Sequence, residues 1–392
     1  MAKWLRRLGA EVYQGRHRVK QRPLKIPNEL VELLSKGHDN VLKFLDERVW
    51  GLTATESGTE QLRRFCKFIE LHKKGTKVNA IAKHEDVKTY RSTIAEWREG
   101  TDQPYLVRVA STALQIQTAP GKKILPLYID SGGNEQGQWI QAPTVLNDEN
   151  IHALLQQISP LDETYSRASM LGISLLQLRQ IRFELFGYLV GIALGDAGKT
   201  SSTEERFASM NLDLQLSKKH QSNEAIGELV CLSANLIGIR MSRISDKHPT
   251  GDTRYSKEPT DAYRWSSSRS PLMAWIVRQC LGLERGKTTS HDKVRMDWIF
   301  GMSRDFRKRF IQGVADSDGT ARPYVVEITS TPNAELITRV LHSLGLTSAY
   351  SREENGTMLR TVVKNAEAAD LPIFNEFTKG YRYQQLMFYT RK

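Results

Sequence analysis

The chain has 392 residues, 40% of them hydrophobic, and its 56 Lys and Arg against 44 Asp and Glu leave it at +12 with a pI near 9.5. That length suggests two or three domains with ordinary globular cores, and the charge suggests a polyanionic partner beside the plainer reading of general solubility. Cys66, Cys231 and Cys280 lie too far apart for a metal-ligand spacing or a disulfide framework, which fits a reducing compartment, and no apolar run is long enough to span a membrane.

Lys3, Arg6, Arg7, Arg16, Arg18, Lys20, Arg22 and Lys25 make the N-terminus basic and nearly free of acids. It reads as a phosphate-contacting arm, an organellar transit peptide or a solvated segment. Gln61 to His72 sets Leu62, Phe65, Phe68, Ile69 and Leu71 at helical spacing, and Lys73-Lys74-Gly75-Thr76 interrupts it. Val78 to His84 is a short helix. Lys88 to Glu99 is a third, with Tyr90, Ile94 and Trp97 three to four apart and Gly100 as its stop. A short helix, a turn and a second helix is the helix-turn-helix pattern, although a plain three-helix bundle with a charged wet face has the same one. On the first reading Lys88, Thr89, Arg91, Ser92 and Arg98 lie on the exposed side of the last helix and reach bases and phosphates.

The Gly- and Pro-rich stretch from about 118 to 143 reads as a linker, and Asn147 to Gln157 as a helix. From about 181 the pattern runs helix, strand, helix, strand, strand, helix, twice over. In the first pass a helix ends at Asp196, Met210 to Leu216 alternates strictly, and Glu224 to Ile237 is a helix closed by Gly238. Strands follow near Ile239 to Ile244 and Ala262 to Ser267, then Pro271 opens a helix to Leu281. In the second a helix ends at Asp318, Tyr324 to Thr329 is a strand and Asn333 to Leu344 a helix. Strands at Thr347 to Arg352 and Met358 to Lys364 come next, then a helix from Ala366 to Phe377 with a break at Pro372. Two passes of one pattern suggest halves related by a pseudo-twofold axis.

Each pass opens on small residues four apart followed by an aspartate: Gly191, Gly195 and Asp196, then Gly313, Ser317 and Asp318. Residues four apart share a helix face, so each trio makes a smooth strip that lets two helices approach closely. Packed together, these helices carry Asp196 and Asp318 side by side at their C-terminal ends. Two adjacent carboxylates repel unless they share cations or one is protonated, so the pair favours a metal site over two solvent-facing helix caps.

Phe310-Ile311-Gln312-Gly313-Val314-Ala315-Asp316-Ser317-Asp318-Gly319 resembles the signature motif of the LAGLIDADG homing endonucleases, and Leu189 to Asp196 resembles its first copy. Trp298-Ile299 and Phe306 to Phe310 resemble the family's approach to the second motif helix. The first copy departs from the pattern in having Ala197 where the final glycine is usual, with Gly198 after it. The resemblance covers roughly 180 to 392.

The resemblance implies an α+β fold: a pseudo-twofold duplicated αββαββα arrangement with saddle-shaped antiparallel sheets, preceded by an all-α helix-turn-helix domain. The expected divisions are 1–117, a linker over 118–179, a first half over 180–290 and a second over 291–392. The implied activity is site-specific hydrolysis of double-stranded DNA by a freestanding monomer, with Mg²⁺ or alternatively Mn²⁺ held by Asp196 and Asp318. Lys293 is the candidate catalytic lysine, with Lys287 as its competitor and Lys379 in the symmetric place. The sheets would lie in the major groove, where Asn211, Asp213 and Gln215, with Arg240, Arg243, Arg264, Ser266, Glu327, Thr329 and Arg360, are candidates for base reading; any antiparallel sheet has one wet face, however. Two other functions stay open: a DNA-binding regulator that has lost cleavage, and a maturase binding intron RNA. The expected location is cytoplasmic and nucleoid-associated, with an organelle as the alternative.

Overall fold

The computed structural model describes residues 25–127, 139–158, 174–195, 198–201, 207–244, 261–352 and 359–391. It divides into two compact units, residues 1–117 and 118–392.

Six helices make up the described part of the first unit: α1 (Asn28–Ser35), α2 (His38–Arg48), α3 (Glu56–Lys73), α4 (Val78–Lys83), α5 (Arg91–Glu99) and α6 (Tyr105–Gln115). Thr55 starts α3 by accepting the Gly58 N–H at 3.1 Å, which satisfies a donor the helix itself leaves orphaned. Gly100 ends α5 at φ +74, the left-handed turn that glycine adopts without cost. Phe65 and Phe68 of α3 pack on Trp97 of α5, with ring centroids 5.1 and 5.6 Å apart. Helix α5 begins three residues later than the spacing suggests. The Val87 and Lys88 N–H groups both donate to His84 O, and Lys88 turns left-handed at φ +34. Buried Val87 fills the core in place of Tyr90, which is 83% exposed.

In the second unit the stretch expected to be a linker holds a hairpin, β1 (Lys122–Pro126) paired antiparallel with β2 (Trp139–Pro143). Its inward residues, Ile124, Leu125, Ile140 and Ala142, are buried. The strands are short and the sequence around them is rich in glycine, which hid the alternation. Helix α7 (Asp148–Gln157) follows, capped by Asn147. Helix α8 (Leu175–Leu194) opens with a capping box between Ser174 and Gln177 and is buried almost all round from Leu185 onward, as a core helix must be.

Each half then repeats one order. The first is α8, β3 (Gly198–Ser201), β4 (Met210–Ser217), α9 (Asn223–Leu236), β5 (Met241–Arg243), β6 (Ala262–Ser267) and α10 (Pro271–Trp275). The second is α11 (Arg304–Asp318), β7 (Gly319–Ala321), β8 (Val325–Thr329), α12 (Ala334–Ser343), β9 (Ser348–Arg352), β10 (Leu359–Lys364) and α13 (Asn365–Asp370). The sheets run β3-β4-β6-β5 and β7-β8-β10-β9, antiparallel throughout. The fold is therefore α+β with a duplicated αββαββα order. Strands β3 and β7 are too short for alternation to reveal. Helix α13 stops at Asp370 rather than Phe377, because Leu371 turns extended ahead of Pro372; a further helix, α14 (Tyr381–Thr390), follows.

Helices α8 and α11 meet at the two motif glycines. A methyl on Gly191 would overlap Phe310 O and lie 2.9 Å from Val314 N and 3.0 Å from Gly313 Cα; one on Gly313 would overlap Tyr188 O and lie 2.9 Å from Ile192 N and 3.0 Å from Gly191 Cα. The offset that carries 191 to 313 also carries 188 to 310 and 192 to 314, so the contact is reciprocal and the halves are related by a local twofold. Gly191→Ala should cost about 2 kcal/mol or more, because backbone rather than a yielding side chain stands in the way. Gly301→Ala, where an added methyl meets nothing within 4 Å, should stay within about 0.5 kcal/mol. Urea unfolding of both variants checks the difference.

Candidate active site at the paired helix ends

Beyond the glycines the two helices stay in contact to their C-termini. A Cβ on Gly195 would strike the Ser317 side chain and lie 3.1 Å from Asp318 Oδ2. The carboxylate of Asp318, half-buried, thus rests against the last turn of the other motif helix. Gly191, Gly195, Gly313 and Ser317 all lie at this helix interface. Asp196, the residue after Gly195, lies outside the described residues, as does Ala197.

Both helix ends carry a cation that the sequence did not single out. Lys199 of β3 donates to Ala193 O at 2.6 Å and Gly195 O at 3.3 Å, and lies 3.0 Å from Thr289 Oγ1. Arg382 of α14 donates to Ala315 O at 3.3 Å, to Ser317 O at 2.8 Å and to Asp316 O. Ala193 and Gly195 correspond to Ala315 and Ser317 under the local twofold. The same carbonyls are therefore neutralised in each half, by residues from unrelated elements. Helix C-termini are the negative ends of their dipoles, so two of them side by side with a carboxylate require this compensation.

The lysine in contact with the helix ends is Lys199 rather than Lys293. The Lys293 side chain is 78% exposed and lies 4.0 Å from Glu335. Lys287 pairs with Asp292 at 3.2 Å, and Lys379 is exposed in a left-handed conformation. Thr289, in the same segment, is tied to both halves: its hydroxyl meets Lys199, and its carbonyl accepts from Asn333 Nδ2 at 3.2 Å.

Under the site, Asp316 is 2% exposed and joins the two motif helices. Its Oδ2 accepts from the Tyr188 hydroxyl at 2.8 Å and its Oδ1 from Asn375 N–H at 3.2 Å. Burial pushes its carboxyl up to about 6, although the Tyr188 and Asn375 hydrogen bonds and Arg382 pull the other way. Gln312, fully buried, donates to Pro372 O and Glu376 Oε2, both at 2.7 Å, and accepts from Arg309, which also bonds Glu184 of α8 at 2.9 Å.

The sheets present an open face next to these ends. Strands alternate sides, and residues directly opposite in an antiparallel pair share one. Leu212, Leu214, Tyr263 and Trp265 face the helices; Asn211, Asp213 and Gln215 face away with Ser266 and Arg264. In the second sheet Glu327, Thr329 and Arg360 face away, while Val326, Ile328, Thr361 and Val363 face in. Arg240 is exposed just before β5. Arg243 is a correction: it stands opposite buried Trp265, on the helix side, with its guanidinium 5.1 Å from the Tyr263 ring and bonded to Glu224 of α9. In the first unit Lys88, Arg91 and Ser92 are exposed and Thr89 is half-buried. Arg98 is not on that surface, because it packs into the core at 8% exposure beside Glu99. Among the described residues no group of three His, Cys, Asp or Glu side chains converges as a metal cage, and no helix is long and apolar enough to cross a membrane.

A mixed α+β chain with this duplicated antiparallel layout is similar to solved homing endonucleases at low identity and over part of its length. It is 14% identical to I-DmoI in complex with DNA and Mn, over 48% of this chain and 92% of that one, with a TM-score of 0.34. It is 13% identical to the homing endonuclease I-WcaI bound to its DNA recognition sequence, over 51% and 85%, with a TM-score of 0.34. It is 12% identical to full-length DUF199/WhiA from Thermatoga maritima, over 54% and 61%, with a TM-score of 0.33. No family model and no curated protein matches the chain.

The buried Asp316 sets a pH dependence. Its folded pKa of about 6 lies above the 3.8 of an ordinary aspartate, so the folded state binds the proton more tightly. The stability this contributes is complete below pH 3.8 and is lost as pH rises through 6. The difference in unfolding free energy, wild type minus Asp316→Asn, should fall by about 2 kcal/mol between pH 4 and pH 7. Urea titrations at the two pH values measure it.

Proposed function

We propose that the chain is a site-specific, metal-dependent endonuclease acting on double-stranded DNA. The observation that carries this reading is the glycine-to-glycine crossing of α8 and α11, which sets the Asp318 carboxylate against Gly195, one residue before Asp196. On this reading Asp196 and Asp318 hold the divalent cation. The donor set fits: carboxylate oxygens are what Mg²⁺ or Mn²⁺ takes, with waters completing the shell. When bound, the cation supplies an activated water and charge relief at the leaving oxygen.

The chain's own residues do the rest. Lys199 and Arg382 hold the last carbonyls of the two helices and offset the negative potential beside the aspartates. The open faces of the two sheets orient the duplex, and a major groove is wide enough to admit them. Both halves lie in one chain, so a monomer serves and an asymmetric target is accommodated. The 1–117 unit, read as a helix-turn-helix module, adds contacts through Lys88, Arg91 and Ser92 at the start of α5. Residues 180–290 and 291–392 are the two nuclease halves.

A supercoiled plasmid carrying the DNA that flanks the gene tests the activity. The wild type should linearise it with Mg²⁺ and not with EDTA. Asp318→Asn should bind the same DNA within about twofold, while its cutting rate falls at least about a hundredfold. Full cutting by the variant removes Asp318 from the mechanism. Binding without cutting by the wild type, with any divalent cation, would make the chain a DNA-binding regulator instead.

A further inference from the structure

The local twofold that carries Asp196 to Asp318 carries Gly198 to Thr320. Each of these pairs across its sheet with a carboxylate, Gly198 with Asp213 and Thr320 with Glu327. Asp213 and Glu327 are therefore mates, one in each sheet, on the open face beside the strand that leaves the motif helix. A carboxylate is an unfavourable residue on a surface that meets a polyanion, because phosphates repel it. Two at matching places require a specific partner.

Their surroundings differ. Asp213 accepts from Asn211 Nδ2 at 2.8 Å and from the Ser266 hydroxyl, so among the described residues its partners are neutral donors and its charge stands. A carboxylate has about four lone-pair positions, so it can still accept from a base. Glu327 Oε2 instead accepts from Arg322 Nε at 3.3 Å and Arg360 Nη1 at 3.2 Å. The carboxylate is neutralised, and the group presented at that place is the Arg360 guanidinium, held through Nη1. In the major groove cytosine offers an amino donor, which suits an acceptor-only group, whereas adenine's N7 beside its amino group repels one. Guanine offers the O6 and N7 pair that matches an arginine fork.

Resting on the reading that the sheets face DNA, we propose that Asp213 reads a cytosine in one half-site. Arg360, oriented by Glu327, reads a guanine at the matching place in the other. Because the two groups are twofold mates, the two bases lie at equal distances on either side of the target centre.

Binding selection from a random duplex library, followed by sequencing, tests this. The wild type should enrich one site. Asp213→Asn, which keeps the size of the side chain and adds a donor, should move one position from cytosine towards adenine by about tenfold and leave the others alone. Arg360→Lys, which keeps the charge and loses the fork, should lower guanine preference about tenfold at one other position without lowering general affinity; Glu327→Gln should weaken the same position. The two altered positions should be equidistant from the centre. Unchanged preferences in both variants, or altered positions at unequal distances, would overturn the assignment while leaving the DNA-binding function standing. A wild type that enriches no sequence would overturn that function and the assignment together.

Discussion

The contact between Gly191 and Gly313 sets the distance between two helices, and that distance sets almost everything around it. With hydrogen as the side chain at both places, backbone meets backbone, and the helices stay together for a further turn. Gly195 and Ser317 then touch, and the Asp318 carboxylate reaches the opposite helix. Larger residues would splay the pair and separate the ends that carry the acids. The sheets follow from the same constraint, since β3 and β7 leave the helix ends directly and start each sheet from the crossing.

Bringing two helix C-termini together concentrates negative potential before any carboxylate is added. The chain answers with cations on the last carbonyls of these helices. Lys199 and Arg382 serve the two motif helices, and Arg182, 2% exposed, does the same for α7 by donating to Leu155 O and Ile158 O. Burial lowers the Arg182 pKa to about 10, which still leaves it charged at neutral pH. Asp316 takes the opposite course: it is buried inside the crossing, with a tyrosine hydroxyl and a main-chain N–H as its partners.

Much of this was legible in the chain. The duplicated small-small-aspartate strips mark the helix crossing, because spacing by four is a direct statement about one helix face. Met210 to Leu216 marks a half-buried strand by strict alternation, and the structure keeps its parity. What was not legible depends on tertiary context. Arg243 and Arg264 look alike in sequence; their opposite sides of the sheet follow from the register of β5 against β6. Arg98 sits at a helical position that looks solvated until Trp97 and the α3 core fix the rotation of α5. Lys199 carries no motif of its own: its proximity to a helix end is a property of the fold, whereas the segment before the second motif points to Lys293.

The two cations at the motif helix ends differ in how far along the chain they come from. Lys199 caps a helix four and six residues behind it, while Arg382 reaches back across 65 to 67 residues. A local cap closes as soon as the turn after α8 forms. The distant one waits for β7 to β10 and α12 to α13 to condense, because the entropy of closing that loop must be offset first. The cap on α8 can therefore close early in folding, whereas the cap on α11 needs the second sheet in place.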